Sequence, residues 1–170
     1  SFWPETAYEL IPTNGCETLA RIVDYVGDEI APCCSGVFEN SRGGRIAVSG
    51  YSPWSFLQNE PTATRIKTTM RWLSRDTLPG WVASYHRTAL WLRELPSGNL
   101  GGVVLNASLD PADGVRLMLH TSADEIHVTS EACDASGACD DITIASTERD
   151  GSYGVFQLPH MPPWSMLLIE

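Results

Sequence analysis

Long apolar runs are missing from this 170-residue sequence. No stretch approaches the roughly 20 residues that a bilayer-spanning helix needs, so no such helix is expected. Basic residues are scarce too: 11 Lys and Arg stand against 21 Asp and Glu, a formal charge of −10. They form no run. Phosphate binding draws on clustered Lys and Arg, so nucleic acid is disfavoured as a partner, and so is an anionic membrane surface. Metal-ligand spacing is absent. His86, His120, His127 and His160 are dispersed, and the gap between Cys133 and Cys139 does not suit a zinc knuckle. Asp134, Asp140 and Asp141 lack the residue order of a calcium loop and read as a solvated loop. No metal or other cofactor is expected. Internal repeats and low-complexity tracts are missing as well.

Five cysteines are present, an odd number that decides no redox compartment. Cys133 and Cys139 flank a turn-rich loop, which makes a hairpin-closing disulfide geometrically possible. Cys33 and Cys34, being adjacent, are expected in a strand with their side chains on opposite faces. Asn106-Ala107-Ser108 matches a glycosylation acceptor, a match with meaning only in a secreted eukaryotic protein.

Short strands dominate the first fifty residues. Tyr8-Glu9-Leu10-Ile11 alternates and stops at Pro12-Thr13-Asn14-Gly15, a turn signal. Residues 19–26 fit a strand or a short helix equally, and 34–39 read as a strand. Residues 45–51, β-branched and bracketed by glycine, predict a strand buried on at least one face. A helix follows: Ala63, Ile66, Met70 and Leu73 share one helical face, Asn59 suits the N-cap and Pro61 the first turn. Beyond Trp81 the pattern changes. Residues 86–95, 100–105, 115–120, 125–129, 142–145, 153–158 and 165–169 read as strands separated by Pro-, Gly- and Asp-rich turns, the signature of a β-sandwich or barrel. The expected fold is therefore α+β: a short partial α/β segment over residues 1–80, then an antiparallel β-sandwich over 81–170.

No catalytic residue stands out. Cys16, in Asn14-Gly15-Cys16-Glu17-Thr18, lacks the small residues on both sides that a nucleophile elbow needs, and reads as structural. Glycoside hydrolysis uses two carboxylates, and Glu5, Glu9, Glu39, Glu94 and Glu125 all lie in strand-like surroundings that single out no pair. Aromatic residues remain. Six tryptophans are a heavy load, and sugars stack on exposed aromatic faces. Trp54 follows the strand at 45–51, where α/β sheets place ligands. The structural alternative has Trp54 and Trp72 packing the helix on the sheet, while Trp91 and Trp164 fill the sandwich core.

The run Ser35-Gly36-Val37-Phe38-Glu39-Asn40-Ser41-Arg42-Gly43-Gly44-Arg45-Ile46-Ala47-Val48-Ser49-Gly50-Tyr51 resembles the end of the glutamine-amidotransferase-like (trimerisation) domain of family 42 β-galactosidases. Ala20-Arg21-Ile22 with Ala31-Pro32 looks like the strand pair preceding it. Val103-Val104-Leu105-Asn106-Ala107-Ser108-Leu109-Asp110 and Pro162-Pro163-Trp164-Ser165-Met166-Leu167-Leu168-Ile169-Glu170 are similar to strands of glycosidase C-terminal β-domains. Cys33-Cys34 and the Cys133–Cys139 loop depart from the family pattern. The resemblance implies a parent glycoside hydrolase whose catalytic β/α barrel precedes Ser1, and it carries over no catalytic residue.

The expected role is that of a non-catalytic accessory region, packing against the catalytic domain of the same parent chain or supporting homo-oligomer contacts. The alternative is a carbohydrate-binding module that stacks an oligosaccharide on Tyr51, Trp54, Trp81 or Tyr85. A third possibility is a free-standing hydrolase assembled from the scattered His and acidic residues.

Overall fold

The structure, a computed structural model, describes residues 6–52, 59–133 and 139–170, with side-chain detail at all of these except 131–133 and 139. The described residues are mostly antiparallel sheet with one helix. The chain divides into two compact units, Ser1–Asp76 and Thr77–Glu170.

In the first unit β1 (Glu17–Val23), β2 (Glu29–Glu39) and β3 (Arg45–Ser49) form a sheet in that order, followed by α1 (Glu60–Leu73). Both pairings are antiparallel. A tail of an α/β domain would bring parallel strands, but the turns joining β1, β2 and β3 are short, and a parallel pair needs a crossover of about a dozen residues or more. Residues 19–26, ambiguous in sequence, fall mainly in β1. Tyr8-Glu9-Leu10-Ile11 forms no strand: Tyr8 donates to the Gly50 carbonyl (2.7 Å) and Leu10 to that of Cys33 (2.8 Å), two separate bonds rather than a ladder. Gly50 permits this crossing, since a Cβ there would lie 2.1 Å from the Tyr8 carbonyl oxygen.

The expectation that 45–51 is a buried strand is corrected. β3 is an edge strand, and Ile46, Ala47, Val48 and Ser49 are all exposed. Its β-branched content reflects strand propensity, which an edge satisfies without burial. The helix face foreseen from Ile66, Met70 and Leu73 does turn toward β3, where the three residues line a small cavity with Ala47 and Val48. Asn59 takes the N-cap position without a side-chain capping bond.

At the other end of α1, Arg45 Nη1 donates to the Trp72 carbonyl (2.6 Å) and its guanidinium lies 4.8 Å from the Trp72 ring centroid. Arg75 donates to the Gly43 carbonyl and to Glu39 (3.0 Å). Two guanidinium groups thus tie the carbonyl end of the helix to the β2–β3 hairpin, the end where cations are favourable. Hydrogen bonds from Arg75, and next from Arg45, hold the Glu39 carboxyl below its usual range. Cys33 and Cys34 lie buried in β2, and burial pushes the Cys34 thiol up.

The second unit holds two antiparallel sheets. One contains β4 (Gly80–Val82), β7 (Arg116–His120), β10 (Glu148–Asp150) and β11 (Tyr153–Gln157), in the order β10-β11-β7-β4. The other contains β5 (Thr88–Glu94), β6 (Leu100–Asn106), β8 (Glu125–Cys133), β9 (Cys139–Ala145) and β12 (Met166–Ile169), in the order β5-β6-β12-β8-β9. All seven strand patterns read beyond Trp81 form strands. β4 and β10, at three residues each, are too short to show alternation. Leu117 and Phe156 of the first sheet join Val104, Val128, Leu167 and Ile169 of the second in one apolar cluster. Each such side chain contributes about 1.5–3 kcal/mol by leaving water.

Asn106 is the exception in this interior, polar and only 1% exposed. Its Nδ2 donates to the carbonyls of Asp110 (2.9 Å), Met161 (3.2 Å) and Pro162 (2.9 Å), joining two loops that also meet through an Ala112–Met161 bridge. A buried amide already donating to three carbonyls is not available for glycosylation in the folded chain.

Candidate functional site: the outer face of the five-stranded sheet

Strand alternation sends successive side chains to opposite faces of a sheet. In β5, Leu90 and Leu92 pack on the apolar cluster, so Trp91 and Arg93 face outward. The register then sets a row straight across the sheet: Trp91 opposite Val103, Val103 opposite Leu168, Leu168 opposite Thr129, Thr129 opposite Asp141. A second row runs beside it, with Arg93 opposite Gly101 and His127 paired with both Glu170 and Thr143.

Apart from Thr143, the residues of these two rows floor a groove of about 770 Å³. Trp91 is 57% exposed and Leu168 46%. Gly101 offers no side chain, and Leu95 folds over it, its Cγ 2.9 Å from where a Cβ would stand. The polar members are linked in pairs: Thr129 Oγ1 to Asp141 Oδ1 at 3.4 Å, and Thr143 Oγ1 to His127 Nδ1 at 3.3 Å. A second trough of about 660 Å³ shares His127, Ile169 and Glu170 and continues toward Asn99, Ser122 and Glu125. Arg149 shapes that end, donating to the carbonyls of Thr121, Ser122 (2.8 Å) and Ala123 (2.6 Å). The groove therefore offers one large aromatic face, an apolar floor, and hydroxyl, imidazole, guanidinium and carboxylate groups at its side and far end.

Of the four aromatic residues singled out in sequence, the three that are described do not line this groove. Tyr51, in the first unit, accepts a hydrogen bond from Arg65, whose guanidinium sits 5.6 Å over its ring, beside the cavity of about 180 Å³ next to α1. Trp54 falls outside the described residues. Trp81, in β4, is half-buried and meets Tyr153 edge-on, centroids 4.7 Å apart at 67°. Tyr85 is 47% exposed in the loop before β5. The side chains of Cys133 and Cys139 also fall outside the description, although the backbone register sets the two residues opposite each other.

The expected packing of Trp91 and Trp164 into the core is corrected: Trp91 faces outward from β5, and Trp164 is 62% exposed in a turn at φ 56°. Trp91 was legible in the sequence. It shares parity with Arg93 and opposes Leu90 and Leu92, so placing those leucines inward sends the tryptophan out.

Among the described residues no group of three or more His, Cys, Asp or Glu is placed to hold a metal ion. Cys16 is half-buried beside the Gly15 turn, and His160 pairs with Asp113 at 2.7 Å on an exposed loop. Neither forms a nucleophile–base pair.

No family model matches the chain, and no curated protein or solved structure matches it either.

Proposed function

We propose that this chain is a non-catalytic accessory region of a larger carbohydrate-processing protein, and that its second unit holds an oligosaccharide on the outer face of the five-stranded sheet. In this reading the two sheets of that unit form a β-sandwich, the first unit supplies contacts to the catalytic domain or to a second copy, and the parent protein is a glycoside hydrolase of the family 42 type. The observation that carries it is the exposed indole of Trp91 in line with Thr129 and Asp141 across one groove. Trp91, Val103 and Leu168 are adjacent across the sheet, and a contiguous exposed apolar patch rimmed by polar groups favours a binding surface. Sugars fit that mixture, since their C–H faces stack on aromatic rings while their hydroxyls need donors and acceptors.

The experiment is isothermal titration of the chain against a panel of neutral oligosaccharides, beside a Trp91→Ala variant. The expected outcome is millimolar-to-micromolar affinity for at least one member, lost in the variant. The fold should survive, because Trp91 is outside the core and surface changes cost within about 0.5 kcal/mol. Binding that persists in Trp91→Ala but vanishes in Tyr85→Ala would move the site to the β4–β5 loop.

A further inference from the structure

The order of side chains along the groove says which glycans fit it. Trp91, Val103 and Leu168 come first and are all apolar, while Thr129 and Asp141 come last and are polar. Resting on the oligosaccharide reading above, we infer that the groove takes a flat, β-1,4-linked chain with equatorial ring substituents, of the glucan or xylan type, laid across the strands.

Neighbouring strands are ~4.8 Å apart, close to the length of one pyranose unit. The row from β5 to β9 crosses five strands, hence about four units placed between successive strands. A chain with only equatorial substituents presents C–H faces to Trp91, Val103 and Leu168 and directs its hydroxyls sideways. On that side lie Arg93, Glu170 and His127. On alternate units of such a chain an axial hydroxyl would instead point into the apolar floor, lose its water and find no acceptor, weakening binding about tenfold per group so placed. Charge narrows the class further. The second unit carries twelve acidic against four basic residues, a field that repels uronates and sulfated glycans.

The test titrates the full chain with cellotetraose, xylotetraose, cellobiose, mannotetraose and polygalacturonate. The expected result is binding of one or both flat tetrasaccharides, at least tenfold tighter than cellobiose or mannotetraose, with no binding of polygalacturonate. Mannotetraose or cellobiose binding as tightly as the flat tetrasaccharides overturns the inference and leaves the oligosaccharide reading standing, and so does a preference for polygalacturonate. Failure of every glycan overturns both. A Leu168→Gln variant gives an independent check by placing an amide on the floor: the ratio between cellotetraose and mannotetraose should shrink. A ratio unchanged in that variant also counts against the inference.

Discussion

The two units bury different kinds of side chain. In the first, the buried apolar side chains among the described residues are Ala31, Cys33, Cys34, Val37 and Ala63, all small, while Tyr25 at the β1–β2 turn is 99% exposed. In the second, Leu117, Phe156 and Met161 are fully enclosed. Buried area, and with it the apolar contribution to stability, rises with side-chain size. Among the described residues the first unit joins α1 to the β2–β3 hairpin through the Arg45 and Arg75 hydrogen bonds, whereas the second has a continuous apolar interior. Charge divides as unevenly: nine acidic against seven basic residues lie in the first unit, against twelve and four in the second. On the proposed reading, an acidic unit with an open sheet face presents a neutral ligand. On the same reading, the first unit supplies the contacts to another domain or copy.

The strongest way to break that comparison is to truncate one core residue in each unit. Phe156→Ala should cost about 3–5 kcal/mol, whereas Val37→Ala should cost about 1.5 kcal/mol for its two lost carbons. Urea unfolding of the two variants measures this, and equal costs would mean that the first unit has a core as consequential as the second. Next in size is Asn106→Ala, which removes the donor shared by three loop carbonyls and should cost about 1–3 kcal/mol. Faster amide exchange at Ala112 and Met161 would accompany it, and exchange at wild-type rates there would show that the bridge holds the loops unaided.

The smallest effect sharpens the account of the first unit. The Glu39 carboxyl is held down by Arg75 and Arg45. A depressed carboxyl adds stability above its unfolded value, and that contribution disappears as pH falls through the folded value. The pairs are exposed, so the effect on unfolding is slight. Following the Glu39 side-chain carbon by NMR from neutral to acid pH reads it directly. Arg75→Ala should move the midpoint upward, toward an ordinary glutamate. A midpoint unmoved by that change would mean Arg45 alone sets it.

Much of the second unit was legible because alternation and turn residues are local signals. Leu90 and Leu92 against Trp91 and Arg93 already specify two faces, and the Pro-, Gly- and Asp-rich segments mark where strands end. β4 and β10 escaped because three residues carry no period, and they form only by pairing with β7 and β11. In the first unit β3 misled, since Ile and Val suit an edge as well as a centre. The aromatic candidates misled for a related reason: tryptophan suits both a core and a stacking surface, and residue type does not separate them.

By itself, then, the sequence determined seven strands of the second unit, a helix with Ala63, Ile66, Met70 and Leu73 on one face, the acidic balance and the parity of side chains within those strands, because these follow from near-neighbour periodicity and composition. Only the tertiary structure decided which strands lie side by side. The row from Trp91 to Asp141 joins residues fifty positions apart through β6, β12 and β8, and no local pattern encodes that order. Where that order sets apolar side chains at one end and polar ones at the other, five unremarkable strands become one groove.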